Sequence, residues 1–227
     1  MSIKSLADIQ ADIQRRRFSP LYLLQGEEPY FIDQLTELLE KSVLSESERS
    51  FNQTILYGKD VSVEEVIACA RRYPMMSEFQ VVILREAQGI HANKIDELST
   101  YTDSPLSSTI FVMALKNKSL DKRKKLYKSF SSNGVIFQSD KIRDDKMPAW
   151  IGQYVRNQGF KINDETCFFL KECLGNNLER VVNELSKLSI NLQPGSDITR
   201  QQIETFIGIN KDFNLFELQN AIGRKDL

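Results

Sequence analysis

The chain has 227 residues, 41% of them hydrophobic, and its 30 basic and 31 acidic residues leave a formal net charge of −1. This length can bury a sizeable core and hold two domains, while the balanced charge excludes a global field that would draw the chain to nucleic acid or membrane. One histidine and three cysteines without metal-ligand spacing exclude a histidine-based metal centre, a catalytic histidine pair and a disulfide framework. No long uncharged apolar segment is present and the start of the chain lacks a signal-peptide core, so we expect a cytoplasmic protein without a membrane segment.

Apolar runs of strand type alternate with amphipathic helical segments along the first 140 residues. The strand-like runs are 21–24, 51–57, 79–84, 109–115 and 135–138, and the helical segments between them are 30–43, 62–71, 93–101 and 121–130. Short apolar runs separated by helices are typical of a parallel sheet covered on both faces. The sequence therefore predicts an α/β domain over residues 1–140.

The turn after the first strand-like run lies where a P-loop protein binds phosphate. A working loop would read G-x-x-x-x-G-K-[ST], with glycines that expose backbone N–H groups and a lysine that contacts the phosphates. Here only Gly26 matches, and Glu27 and Glu28 would repel a triphosphate. The layout is that of a nucleotide-binding domain, but the residues predict that no nucleotide cofactor binds.

The third strand-like run ends without the acidic residue that would hold a metal ion. Residues 81–84 occupy the place of a Walker B strand, but Arg85 follows, and Glu86 has no phosphate-binding lysine to work with. We therefore predict no catalytic residue and no metal ligand in this domain. The alternative is an NTPase or small kinase with a variant P-loop.

The loop before the third strand-like run carries two adjacent methionines. Tyr73, Pro74, Met75 and Met76, here called the methionine loop, stand where chains are usually polar. Flexible, polarisable methionine side chains suit insertion into a pocket of a partner. On the residues alone, the alternative that both methionines fold back onto the end of the domain core is slightly favoured.

Basic residues cluster around the fourth helical segment. Lys118, Lys122, Arg123, Lys124 and Lys125, here called the basic segment, could contact the phosphates of DNA. Because apolar residues interleave with these charges, the alternative is the solvated face of an ordinary amphipathic helix.

Beyond residue 140 the pattern is wholly helical. A charged, turn-rich joint at residues 139–145 marks the boundary, and helical periodicity then predicts a small all-helical domain over residues 141–210. Apolar residues at Phe213, Leu215, Phe216 and Leu218 read as the start of a further helical domain, 211–227, of which this sequence holds only the beginning.

Several segments, in order and spacing, resemble the δ subunits of the bacterial DNA polymerase III clamp loader. The segments that carry this resemblance are residues 21–30, 73–78, 81–84, 175–178, 183–188 and 212–218. The resemblance implies an AAA+-like P-loop-type domain, then a helical lid domain and a C-terminal collar. It also implies a catalytically silent clamp-loader subunit that binds and helps open the sliding clamp (the β subunit) in DNA replication.

The same resemblance assigns roles to particular residues. The clamp-binding element of the family falls on Tyr73, Pro74, Met75 and Met76, where Met75 and Met76 replace the usual Leu-Phe pair and Tyr73 matches an upstream apolar contact. The implied partners are the clamp, the other clamp-loader subunits (δ′ and τ/γ), which join through the collar, and primer–template DNA. DNA-directed DNA polymerase activity, a nucleotidyltransferase activity, would belong only to the holoenzyme. A pure scaffold without clamp contact is the third reading.

Overall fold

Five parallel strands form the sheet at the centre of the first of two units, in a computed structural model that describes residues 3–206. The strands are β1 (Leu21–Gly26), β2 (Gln53–Tyr57), β3 (Gln80–Arg85), β4 (Thr109–Lys116) and β5 (Val135–Ser139). Their spatial order is β2-β3-β4-β1-β5, so β1 lies between β4 and β5. Leu23 stands opposite Met113 on one side and Ile136 on the other. This register places the turn after β1 beside the ends of both neighbours.

Helices cover both faces of the sheet. They are α1 (Leu6–Gln14), α2 (Pro29–Ser42), α3 (Glu46–Asn52), α4 (Val63–Ala70), α5 (Ser99–Thr102) and α6 (Lys125–Asn133). Tyr22 and Leu24 of β1 pack in one apolar core with residues of α1 and α2, whereas Leu23 packs in the other with residues of α4 and α6. Successive strand side chains point to opposite faces, so a continuous apolar strand feeds both cores. The predicted α/β architecture is confirmed.

Several local predictions in this unit are wrong. No helix was predicted before β1, yet α1 begins there with Ser5 and Asp8 as a capping box. Residues 51 and 52 belong to the helix α3 rather than to a strand. The segment 93–101 forms a short 3-10 turn, Ile95–Leu98, followed by the single-turn helix α5. Finally, α6 begins at Lys125, four residues later than predicted, because residues 121–124 form a turn.

The second unit begins at Ile142, and the regular secondary structure of its described part is helical apart from one isolated β-bridge between Lys161 and Asp197. After a 3-10 turn at Asp144–Lys146, its helices are α7 (Met147–Asn157), α8 (Asp164–Leu174), α9 (Leu178–Ile190) and α10 (Arg200–Phe206). Asn163 and Asn177 cap α8 and α9, since each side chain accepts a hydrogen bond from the backbone N–H three residues on. Gly175 ends α8 with φ +74°, a conformation that favours glycine. The helices agree with the sequence-based prediction, while the apolar group Phe213–Leu218 lies outside the described residues.

Candidate functional site

The turn after β1 uses its backbone N–H groups within the protein. Gly26 N donates to the carbonyl oxygen of Lys118 at 3.1 Å. Glu27 N and Glu28 N both donate to the carbonyl oxygen of Ser139, at 2.7 Å and 3.3 Å. In a P-loop these are the groups that cradle phosphate. Here the end of β5 and the segment after β4 occupy them.

Gly26 allows this close approach. Its φ is +136°, and a Cβ built at this position would lie well inside van der Waals distance of the Ser139 carbonyl oxygen. The Ser139 hydroxyl in turn donates to the carbonyl oxygen of Glu28 at 2.7 Å. Ser139 is therefore bonded to the turn through both its backbone and its side chain.

Polar side chains extend the same contact along the sheet edge. The buried Gln25 side chain donates to Gln138 Oε1 at 3.0 Å and accepts from Leu120 N at 2.9 Å. Gln138 donates onward to Ser119 Oγ at 3.2 Å. These bonds hold the segment after β4 against β1 and β5, across the place that a triphosphate would need.

The two glutamates of this turn differ in their surroundings. Glu28 is buried and caps α2, because its carboxylate accepts a hydrogen bond from Tyr30 N at 3.2 Å. A carboxylate at a helix N-terminus is favourable, since it complements the positive end of the helix dipole. Glu27 is exposed. Glu28 therefore stabilises the N-terminus of α2, in addition to placing a negative charge in the turn.

Ion pairs connect the carboxyl ends of β3 and β4 to helix α2. Arg85, which stands where a Walker B acid would be sought, pairs with Glu40 of α2 at 2.7 Å. Lys116 at the end of β4 pairs with Asp33 of α2 at 2.7 Å. Glu86 starts a tight turn with φ +50°. Within the described residues, no group of three or more His, Cys, Asp or Glu side chains could hold a metal ion.

The methionine loop presents apolar side chains to solvent. Tyr73 is 73% exposed, Met75 is 63% exposed and Met76 is fully exposed. Met76 has φ +53°, a left-handed conformation that costs roughly 1–2 kcal/mol for a residue other than glycine. The alternative in which both methionines fold back onto the core does not describe this structure.

A buried asparagine holds this loop by its backbone. Asn52, the last residue of α3, is 2% exposed. Its Oδ1 accepts a hydrogen bond from Met75 N at 2.6 Å, and its Nδ2 donates to the Met75 carbonyl oxygen at 3.0 Å. Asn52 was not among the predicted site residues, because position 52 was predicted to lie in a strand.

Helix α3 makes a second contact with the segment that follows the loop. The side chain and backbone of Ser45, together with the hydroxyl of Ser77, donate hydrogen bonds that lower the pKa of the Glu48 carboxyl to about 2. Ser45 and Glu48 form a capping box, which is the sequence signal that could have revealed α3. No comparable signal marks Asn52 as a partner of Met75.

In the basic segment, Lys118 lies just after β4, Lys122, Arg123 and Lys124 lie on the turn before α6, and Lys125 is the first residue of that helix. Arg123 pairs with Asp121 at 2.7 Å, Lys124 with Asp96 at 2.9 Å and Lys125 with Asp103 at 2.7 Å. Cations at a helix N-terminus are unfavourable, so these aspartates offset a local cost. Lys118 and Lys122 have no ion pair among the described side chains.

The parallel sheet followed by a helical unit defines the class of the fold. The Thermotoga maritima RuvB Holliday junction branch migration motor has a TM-score of 0.51 at 13% identity over 95% of this chain and 67% of that structure. The Bacillus subtilis DNA clamp loader delta protein has a TM-score of 0.75 at 22% identity over 97% of this chain and 68% of that structure. The fold is thus AAA+-like.

Sequence comparison gives the family. The family model described as DNA polymerase III, delta subunit, matches residues 22–139, just over half of the chain. The chain belongs to this family of clamp-loader subunits of DNA replication. DNA polymerase III subunit delta of Bacillus subtilis (strain 168) is 22% identical over 223 residues, 95% of this chain. The match spans 64% of that relative's length. In the described part of the chain, no helix is long and apolar enough to cross a membrane.

Proposed function

We propose that this protein binds a ring-shaped sliding clamp through the methionine loop and has no ATP hydrolysis of its own. The observation that carries the proposal is the pair Met75 and Met76, exposed at the tip of a loop whose backbone is anchored at Met75. Exposed apolar side chains on an anchored loop are suited to fill a pocket of a partner. Membership of the delta family supports the clamp as that partner.

Burial of the two methionine side chains would supply enough free energy for a specific contact with the clamp. Full burial of a methionine side chain contributes roughly 1.5–3 kcal/mol, from which the ordering of flexible groups is subtracted. Because the backbone at Met75 is already held, less ordering remains to be done on binding. A subunit that binds the open ring more tightly than the closed ring shifts the clamp towards the open state by that difference in affinity. Clamp opening is thus proposed to be mechanical.

The absence of ATPase activity is supported by the turn after β1. The N–H groups of Gly26, Glu27 and Glu28 bond to protein carbonyl oxygens, and Arg85 pairs with Glu40 where a metal-binding acid would be needed. Binding a triphosphate would require the β5 end to leave its hydrogen bonds. The alternative of an NTPase or kinase with a variant P-loop finds no support in this arrangement.

Contact with DNA is a smaller part of the proposal. In the basic segment, Lys118 and Lys122 are the residues best placed to bind phosphate, because Arg123, Lys124 and Lys125 already pair with aspartates. Primer–template DNA and the other clamp-loader subunits are proposed partners of the whole protein.

Co-purification with the sliding clamp of the same organism tests the proposal. A mixture of the two proteins should elute from size-exclusion chromatography earlier than either alone, and Met75→Asp should abolish the shift. Elution as separate proteins at micromolar concentrations would contradict clamp binding. A shift that Met75→Asp leaves unchanged would assign the contact to another surface.

A further inference from the structure

Asn52 forms hydrogen bonds to two distinct parts of the chain. Its Nδ2 donates to the Glu48 carbonyl oxygen at 3.2 Å, within its own helix. The same amide exchanges two hydrogen bonds with the backbone of Met75, which lies 23 residues further along the chain. An asparagine amide has one acceptor oxygen and two N–H donors, so these contacts use each of its polar atoms.

A role confined to α3 does not account for this arrangement. Ending the helix would need only the bond to the Glu48 carbonyl oxygen, which is one of three. The other two fix both the N–H and the carbonyl of Met75, as a partner strand would. These two hydrogen bonds hold a segment that has no regular secondary structure, because residues 73–79 are neither helix nor strand.

The position of the bonds links them to the tip of the loop. Met75 is the residue immediately before Met76, which holds a left-handed φ of +53° and an exposed side chain. Without a fixed peptide at Met75, that conformation would compete with the right-handed and extended ones that methionine favours. Fixing the backbone at Met75 therefore restricts the directions in which both methionine side chains point.

We propose that Asn52 is a positioning residue for clamp binding, which holds Met75 and Met76 in the arrangement that enters the partner's pocket. This inference rests on the proposed function and extends it to a buried residue that does not contact the partner. The physical basis is preorganisation, since a loop already held in its bound form loses less conformational freedom on association.

Two measurements on Asn52→Ala test the role. Hydrogen exchange of the Met75 amide reports the tether directly, because Asn52 Oδ1 is its acceptor, and should become fast in the variant. Clamp affinity, measured by calorimetric titration, should fall about tenfold, the equivalent of about 1.4 kcal/mol. Asn52→Asp keeps the size of the side chain but sets a buried carboxylate oxygen against the carbonyl oxygens of Glu48 and Met75, so it should also lose clamp affinity.

Asn133→Ala is the matched control. Asn133 Nδ2 also donates to two backbone carbonyl oxygens, those of Thr102 and Asp103, at 2.9 Å and 3.1 Å. Its removal should leave both Met75 exchange and clamp affinity unchanged, even where thermal stability falls as in Asn52→Ala. A general loss of stability would therefore not imitate the effect of the tether.

The outcomes separate this inference from the proposed function. If Met75→Asp abolishes clamp binding while Asn52→Ala and Asn52→Asp bind as the parent does, the positioning role is refuted and clamp binding through the loop stands. If Met75→Asp binds unchanged, the proposed function fails first. Slow Met75 exchange in Asn52→Ala would refute the tether in either case.

Discussion

The backbone N–H of Glu27 donates to the carbonyl oxygen of Ser139 at 2.7 Å, a hydrogen bond that joins the turn after β1 to the end of β5. Glu28 N donates to the same oxygen, and Gly26 is the residue whose missing side chain leaves room for it. A turn that binds phosphate in P-loop proteins thus binds its own sheet here.

Gly26→Ala should destabilise the protein by about 2–5 kcal/mol, because it adds a clash with Ser139 to a strained φ of +136°. Urea denaturation measures the free energy of unfolding. Gly159→Ala is the control, since Gly159 also has a positive φ, +83°, but nothing lies within 4 Å of the Cβ position. An equal loss in the two variants would contradict the close contact at Ser139.

ATP with Mg²⁺ should produce no saturable heat in a calorimetric titration up to millimolar concentrations. The reason is that the N–H groups of the turn are already bonded to Lys118 and Ser139 carbonyl oxygens. Saturable binding in the micromolar range would restore the NTPase alternative. Competition by ADP would then show that the phosphate position is open.

The Glu48 carboxyl should titrate near pH 2 in an NMR experiment, below its ordinary 4.5, because Ser45 and Ser77 donate hydrogen bonds to its ionised form. A lowered pKa means that the charged carboxylate stabilises the folded state. This contribution is present above about pH 4.5 and is lost as the pH falls towards 2. Ser45→Ala should raise the pKa, and a parent midpoint near 4.5 would contradict the capping box.

Lys118→Glu with Lys122→Glu should weaken the binding of primer–template DNA at low salt and flatten its salt dependence. Each lost phosphate contact reduces the slope of log affinity against log salt by about 0.9. Lys41→Glu with Lys59→Glu, in the same unit, changes the net charge equally and serves as the control. Equal losses of DNA affinity in the two double variants would show that the basic segment contributes only through the net charge and makes no specific phosphate contact.

The sequence predicted the elements that depend on local periodicity. All five strands and the helical character of the second unit were expected, because continuous apolar runs and a 3.6-residue period mark buried strands and amphipathic helices. Helix α3 was missed because the strand-type run 51–57 was predicted to begin at Phe51, whereas Phe51 lies in the last turn of the helix with its side chain exposed. Whether the methionine side chains are exposed could not be predicted, since the same residues could either pack against the core or point into solvent.

Long-range hydrogen bonds could not be predicted. The Ser139 hydroxyl and the Glu28 carbonyl are 111 residues apart in sequence, and Asn52 is 23 residues from Met75. Such pairs form only because the fold brings distant segments together. The residues next to a serine or an asparagine in the sequence do not indicate which distant group it will bond. The ion pair of Arg85 with Glu40 is of the same kind.

Clamp affinity of Met76→Asp is the measurement that tests the central claim most directly. The Met76 side chain is fully exposed, so the variant should fold normally while its charge is excluded from an apolar pocket. Ile190→Asp is the control, because Ile190 is an 83% exposed apolar residue of α9 in the other unit. A calorimetric titration with the sliding clamp should show at least about a tenfold loss for Met76→Asp, or about 1.4 kcal/mol, and none for Ile190→Asp. Unchanged affinity in a folded Met76→Asp protein would contradict the account.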